Sequence, residues 1–320
     1  MRRFVIPPFA LCALALTAGA QPEKPSAPKS PFPALPDAEA WDKLPPAKKP
    51  PLPEWARALA GPLPKTAAKL LELDHLHRAR NPLGPALSAH LRASVAAALK
   101  CPHGVKAAQA DLNALKLRPE TLRHDERLAC EFARKLTLAG HAITDDEFAA
   151  VLKAFGPERT TAIVHTVAYA NFHNRLVLGL GATNEAPAEP VPFAFDPDAK
   201  VTAPDRPPWD DLKAAKGEGL SVRVAWGDAG HEKLNAKLDA QKERKLRVPL
   251  PPESAFEKLP PKERDGAKKI LWNTVSAGYQ PELTRAWFAP LYAFYDEAKV
   301  DRVFTNSAFW VVTRTNDCFY

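Results

Sequence analysis

Apolar residues along this chain recur at three- and four-residue spacing in two separate blocks, and the stretches between those blocks are dominated by proline and charge. The first block covers residues 65–185 and reads as all-helical, because that spacing places the apolar side chains on one face of a 3.6-residue period. Residues 67–76 and 87–99 read as helices, the second running into Cys101. Residues 121–138 put Leu128, Phe132 and Leu136 at i, i+4 and i+8, a single stripe along a helix.

The stretch ITDDEFAAVLKAFGPERTTAIVHTVAYANF holds the best-marked boundary. Thr144 and Glu147 stand in the reciprocal capping relation of a helix start, just before an apolar run. Gly156 then fits a helix exit and Pro157 the entry of the next helix, which runs to Leu180 and stops at Gly181. The second block, residues 263–320, carries Trp272, Leu283, Trp287, Leu291, Tyr292 and Tyr295 before RVFTNSAFWVVTRTNDCFY. Aligning Cys318 with Cys101 gives an internal offset of 217, with Leu87 against Phe304 and Val95 against Val312. The repeat is one of pattern, with few identities.

Between residues 21 and 64, 13 of 44 residues are proline, so the segment reads as an extended tether whose one anchor is residues 55–59. Residues 186–262 hold 12 more prolines and read as a linker between two domains. Within it, VPFAFDP and LSVRVAW have the look of short strands. Residues 1–20 have Arg2 and Arg3, a short apolar run and small residues before Gln21, the layout of a cleaved secretory signal. That run is shorter than the roughly 20 residues a membrane span needs, so no membrane span is expected after cleavage. The mature chain is then expected to be exported, to the periplasm or the extracellular space.

The formal charge is +7, and the basic residues are mixed with acidic ones along the chain, which points to a solvated surface and away from nucleic acid. Three cysteines follow the signal, Cys101, Cys130 and Cys318, an odd number that cannot pair fully within one molecule. Cys101 precedes Pro102 and so occupies the N-cap place of a helix, where the helix terminus and nearby Lys100, His103 and Lys106 favour a thiolate. The alternative is a small apolar residue at a helix junction. His75 and His77, two apart, face different ways on a helix, and His165 and His173, eight apart, share a face. No spacing points to a metal or a cofactor.

The residues HLRASVAAALKCPHG, RLACEFARKLT and ITDDEFAAVLKAFGPERTTAIVHTVAYANFHNRLVLGLG resemble the alkylhydroperoxidase D and carboxymuconolactone decarboxylase family, including Asn171-Phe172 and Asn174-Arg175-Leu176 near the end. That resemblance implies an all-α fold, homo-oligomers, and in the redox members a pair of thiols that passes electrons to a peroxide or disulfide from a thiol or dithiol donor. It implies Cys101, His103 and Cys318 as the catalytic candidates. The first copy departs from the family pattern: Gly104 replaces the second thiol, Ala108 stands where a histidine would follow, and Ala89 stands about where a glutamate would precede. The second block resembles the opening of another copy, and the resemblance implies a further cysteine after Cys318 and more helices beyond it. Two readings stay open: a thiol-dependent peroxidase or disulfide oxidoreductase, or a non-catalytic helical module for assembly or partner binding. A cofactor-free decarboxylase-like activity is the family's other branch.

Overall fold

A computed structural model describes residues 32–44, 50–117, 122–182, 246–267 and 271–315, with residues 232 and 236. Among these the chain is all-α, with twelve α-helices and no strand. The first unit comprises α1 (Asp37–Lys43), α2 (Glu54–Ala60), α3 (Pro64–Ala79), α4 (Pro85–Ala98), α5 (Pro102–Ala114), α6 (His124–Ala139) and α7 (Asp145–Leu180). The second comprises α8 (Ser254–Glu257), α9 (Pro261–Ala267), α10 (Leu271–Tyr279), α11 (Pro281–Ala298) and α12 (Arg302–Thr315). The signal-like residues 1–20, the strand-like segments and Cys318 lie outside the described residues.

Proline sets most of the helix entries. Pro64, Pro85, Pro102 and Pro281 each sit in the first turn, where a missing N–H costs nothing and the fixed φ suits the helix. The same chemistry accounts for a difference from the sequence reading. Residues 37–43, within the 21–64 stretch expected to be a tether, form α1, while the expected anchor at residues 55–59 lies in α2; the two helices are entered from Pro36 and Pro53, with Trp41 and Trp55 both buried. Trp41 Nε1 donates to the Pro50 carbonyl at 3.0 Å and the Leu52 N–H donates to Asp37 Oδ1 at 3.1 Å, so the prolines serve as corners of a packed segment. α7 starts as its sequence indicates: Thr144 Oγ1 accepts from the Glu147 N–H at 3.2 Å, and Glu147 Oε2 accepts from the Thr144 N–H at 2.8 Å. It breaks at Gly156, whose φ of 71° suits glycine alone, and resumes at Pro157.

Two large apolar clusters form among the described residues, beside a small third one of Phe256, Leu259, Ala267 and Ala277. One gathers α1, α2 and α3 around Trp55 and Leu71 with Tyr169 and Val177 of α7; the other gathers α4, α6 and α7 around Leu91, Val95 and Ile163. Leu283 of α11 belongs to the second cluster and Ala298 to the first, so the second unit is packed into both.

At the 217-residue offset several helices of the two units coincide. Shifting the first unit by 217 residues lays Asp37, Pro64 and Pro85, where α1, α3 and α4 begin, on Ser254, Pro281 and Arg302, where α8, α11 and α12 begin. It lays α2 within α10 and Trp55 on Trp272. The equivalent helices α3 and α11 pack against each other, antiparallel. At one end Glu297 accepts from the Lys65 N–H at 2.6 Å, the Thr66 N–H at 2.8 Å and Thr66 Oγ1 at 2.7 Å. At the other end Arg80 Nη2 donates to Glu282 Oε1 at 3.1 Å. In the repeat numbering Lys65 corresponds to Glu282 and Arg80 to Glu297. Position i of one copy therefore meets j of the other and j meets i, the signature of an isologous two-fold interface built inside one chain.

The two ends differ in strength. Arg80 and Glu282 are exposed, where such a pair contributes at most about 1 kcal/mol. Glu297 is buried and satisfies N–H groups in the first turn of α3, a helix with no side-chain cap of its own. Replacing Glu297 with alanine leaves those donors buried and unpartnered, so a loss of about 3 kcal/mol in urea unfolding is expected, against under about 1 kcal/mol for Glu282→Ala.

Candidate functional site

A polar cluster lies where α2, α3, α4, α5 and α7 converge. α3 contributes Asp74, His77 and Arg78 on one face, at i, i+3 and i+4, and all three are buried. Arg78 donates through Nε to Asp111 Oδ2 at 3.0 Å and through Nη2 to Asp111 Oδ1 at 2.8 Å, a bidentate pair, and through Nη1 to Asp74 Oδ2 at 3.3 Å. Arg92 of α4 adds a 2.7 Å bond to Asp111 Oδ2. Two guanidinium groups thus face two carboxylates, and the cluster is neutral overall.

From α7, the Tyr169 hydroxyl donates to Asp74 Oδ1. The Tyr169 ring stacks on His77, with centroids 4.3 Å apart and planes 5° from parallel. Asn81 Nδ2 donates to Thr166 Oγ1 at 2.9 Å and lies 3.3 Å from His77 Nδ1, and Ser88 Oγ donates to the His77 carbonyl at 2.5 Å. His173 stands edge-on to Trp55 at 5.2 Å and 6.4 Å from the His103 ring.

The electrostatics follow from burial and charge pairing. Burial alone would raise the Asp74 pKa, but Arg78, His173 and the Tyr169 hydroxyl hold it below the usual carboxylate value. Tyr169 is pushed well above 10 by burial and by the Asp74 charge, so it stays a hydrogen-bond donor. Burial pushes His77 well below 6.5 and His173 down to about 4, which keeps both rings neutral near neutral pH.

Asp74, Arg78, Arg92, His103, Tyr169, His173 and Asn174 border a cavity of ≈ 20 Å³ that also meets Trp55 and Gly104. That is room for about one water. His173 Nε2, Asn174 Oδ1 and Arg92 Nε have no protein partner and supply polar contacts for it.

The expected thiol site takes a different form. Cys101 is the N-cap residue of α5, as its place before Pro102 indicates, yet its side chain makes no cap hydrogen bond and it is 0% exposed. It packs with the Trp55 cluster and does not line the cavity. His103 is buried and does line it. At Gly104 an added Cβ would fall 1.8 Å from Asn174 Oδ1 and 2.9 Å from Ala96 Cβ, so the place of a second thiol is filled by the α7 side chain.

Cys101 and Cys130 are both free. Cys130 sits beside the second apolar cluster, where burial pushes its thiol up despite a hydrogen bond with Ser94. His165 turns from the cavity to meet Ser276 of α10 at 2.5 Å. His90 and His75 stay outside the cavity lining, and among the described residues no group of three or more His, Cys, Asp or Glu could hold a metal. None of those residues forms a helix long and apolar enough to cross a membrane.

Sequence reasoning missed Asp74, Arg78, Arg92, Asp111, Tyr169 and Asn174. The one local signal was Asp74 and Arg78 at i, i+4 within the apolar helix LLELDHLHRA; Asp111 and Tyr169 reach them only through the fold. No family model matches the chain, and neither a curated protein nor a solved structure does.

Adding one methyl at Gly104 tests the packing. Gly104→Ala is expected to cost about 1 to 3 kcal/mol, and much of that loss should return in the Gly104→Ala, Asn174→Ala double variant, read as non-additive urea midpoints. The histidines set the acid response. In the unfolded chain they take up protons near 6.5, whereas His165 and His173 do so in the folded chain only near 4. Stability present above pH 6.5 is therefore lost as pH falls toward 4, by about 3 kcal/mol for His165 and less for His173, a half-buried residue although its Nε2 is sealed from solvent. Equal urea midpoints at about pH 7 and about pH 4.5 would contradict this.

Proposed function

We propose that this is an exported protein of the alkylhydroperoxidase D and carboxymuconolactone decarboxylase type whose first unit is a redox-silent helical scaffold. Peroxide or disulfide reduction, with a thiol or dithiol donor, is assigned to Cys318 in the second unit. The observation that carries this reading is the packing at Gly104: Asn174 occupies the place of the second thiol, and the remaining thiol, Cys101, is closed off from solvent. A peroxide must touch a thiolate to oxidise it, and a donor thiol must touch the resulting sulfenic acid to reduce it. Cys101, fully buried, is closed to both.

The polar cavity supports the scaffold reading too. Its charges are mutually neutralised and its volume suits a water, so Asp74, Arg78, Arg92 and Asp111 tie α3, α4 and α5 together. A uniquely packed helical unit suits a role in assembly, including homo-oligomer formation.

The test is peroxide consumption by the mature protein with a dithiol donor, beside Cys101→Ser and Cys318→Ser, together with thiol-probe labelling of the folded protein. Cys101→Ser is expected to leave the rate within about twofold and Cys101 to label at least about 100-fold slower than in urea. Activity abolished by Cys101→Ser, or rapid native labelling of Cys101, would overturn the proposal.

A further inference from the structure

The charges that close the α3–α11 pair are sorted by unit. α3 carries Lys65 and Arg80, and the positions equivalent to them in α11 are Glu282 and Glu297. Asp296 stands beside Glu297, where α3 has Ala79. At the contacting ends each helix therefore has a single sign, basic on α3 and acidic on α11.

The contacts use that sorting at both ends. Glu297, 2% exposed, accepts from the Lys65 and Thr66 N–H groups, and Lys65 Nζ donates to Asp296 Oδ2 at 2.6 Å. Arg80 meets Glu282 at the other end. The middle is apolar: Leu70 and Leu73 of α3 share a cluster with Ala286, Trp287 and Phe294 of α11. An apolar middle attracts any apolar helix face, whereas charges at the ends tell one partner from another.

The pseudo-two-fold makes the alternatives explicit. Because i of one helix meets j of the other, two α3 helices paired in this geometry would set Lys65 against Arg80 at both ends. The first-turn N–H groups of α3, which have no side-chain cap, would then face a guanidinium in place of a carboxylate. Two α11 helices would set Glu282 against Asp296 and Glu297 at both ends. Like charges brought together at an interface are strongly unfavourable, most of all where the Glu297 position is buried.

We propose that the α3–α11 contact is a heterotypic recognition surface: a first-unit face takes a second-unit face, of its own copy or of another, and rejects its own kind. Copies of the chain then associate through this surface only by exchanging units, and a homo-oligomer of closed copies is built on other faces. This holds whichever thiol is active.

The test converts one helix at a time in the full chain. Glu282→Lys with Asp296→Ala and Glu297→Arg gives α11 the residues of α3, and Lys65→Glu with Ala79→Asp and Arg80→Glu does the reverse. Each variant alone is expected to lose the pairing, with hydrogen exchange over α3 and α11 at least about 100-fold faster than in the unaltered chain. Mixed, the two variants still hold one native pair between them, the unaltered α3 of the first and the unaltered α11 of the second. They are expected to form a heterodimer by analytical ultracentrifugation, with exchange of those two helices slowed again by at least about 10-fold. Exchange within about threefold of the unaltered chain in either variant alone, self-association of either through these helices, or no heterodimer on mixing overturns the proposal. Should either variant fail to fold, the exposed end decides: Arg80→Glu is expected to speed exchange over α11 by about fivefold, and Glu282→Arg added to it to restore the rate. A double variant no slower than Arg80→Glu alone overturns the proposal as well.

Discussion

The antiparallel pairing of α3 with α11, closed at one end by the Glu297 carboxylate on the first turn of α3, is the contact on which the arrangement of the molecule depends. α3 has two working faces. One meets α11 across the pseudo-two-fold; the other carries Asp74, His77 and Arg78 into the polar cluster. A rotation of α3 that improved either face would spoil the other, so the inter-unit contact and the cluster fix each other's geometry.

That coupling explains why so many buried charges persist in a helical core. Arg78 and Arg92 share Asp111, and Asp74 takes both Arg78 and Tyr169, so each ion has partners of opposite charge or a hydroxyl donor. Such an arrangement adds little net stability over an apolar core of the same shape, but it penalises misalignment strongly, because any displaced member is left charged and unpaired in a buried site. In the second unit the equivalent positions are Leu291, Tyr295 and Phe309, and there the ionic specification is replaced by exposed apolar and aromatic side chains.

The thiol question resolves into a question of space. Cys101 keeps the position at a helix start that makes thiols reactive in general, but the side chain of Asn174 lies over Gly104, and the Trp55 cluster seals the sulfur. The tight fit at Gly104 and the closing of Cys101 belong to one packing arrangement. An alanine-rich α4 and a glycine at position 104 let α4, α5 and α7 approach closely, and close approach removes the access that redox chemistry requires.

Local rules were enough for what local chemistry decides. The 3.6-residue period gave the all-α class; Thr144 with Glu147 gave the start of α7, Gly156 with Pro157 its break, and Cys101-Pro102 the entry of α5. The 217-residue offset was visible from two cysteines and a shared apolar rhythm. Residues 37–43 misled, because proline marks a tether and a helix entry equally well and only the burial of Trp41 distinguishes them, whereas the anchor expected at residues 55–59 stands within α2. Asp111 and Tyr169 joining Asp74 and Arg78, Asn174 filling the space over Gly104, and Glu297 capping a helix more than 200 residues away rest on contacts between elements remote in sequence. Periodicity and capping encode each helix separately; which polar side chains meet is set by how the helices pack.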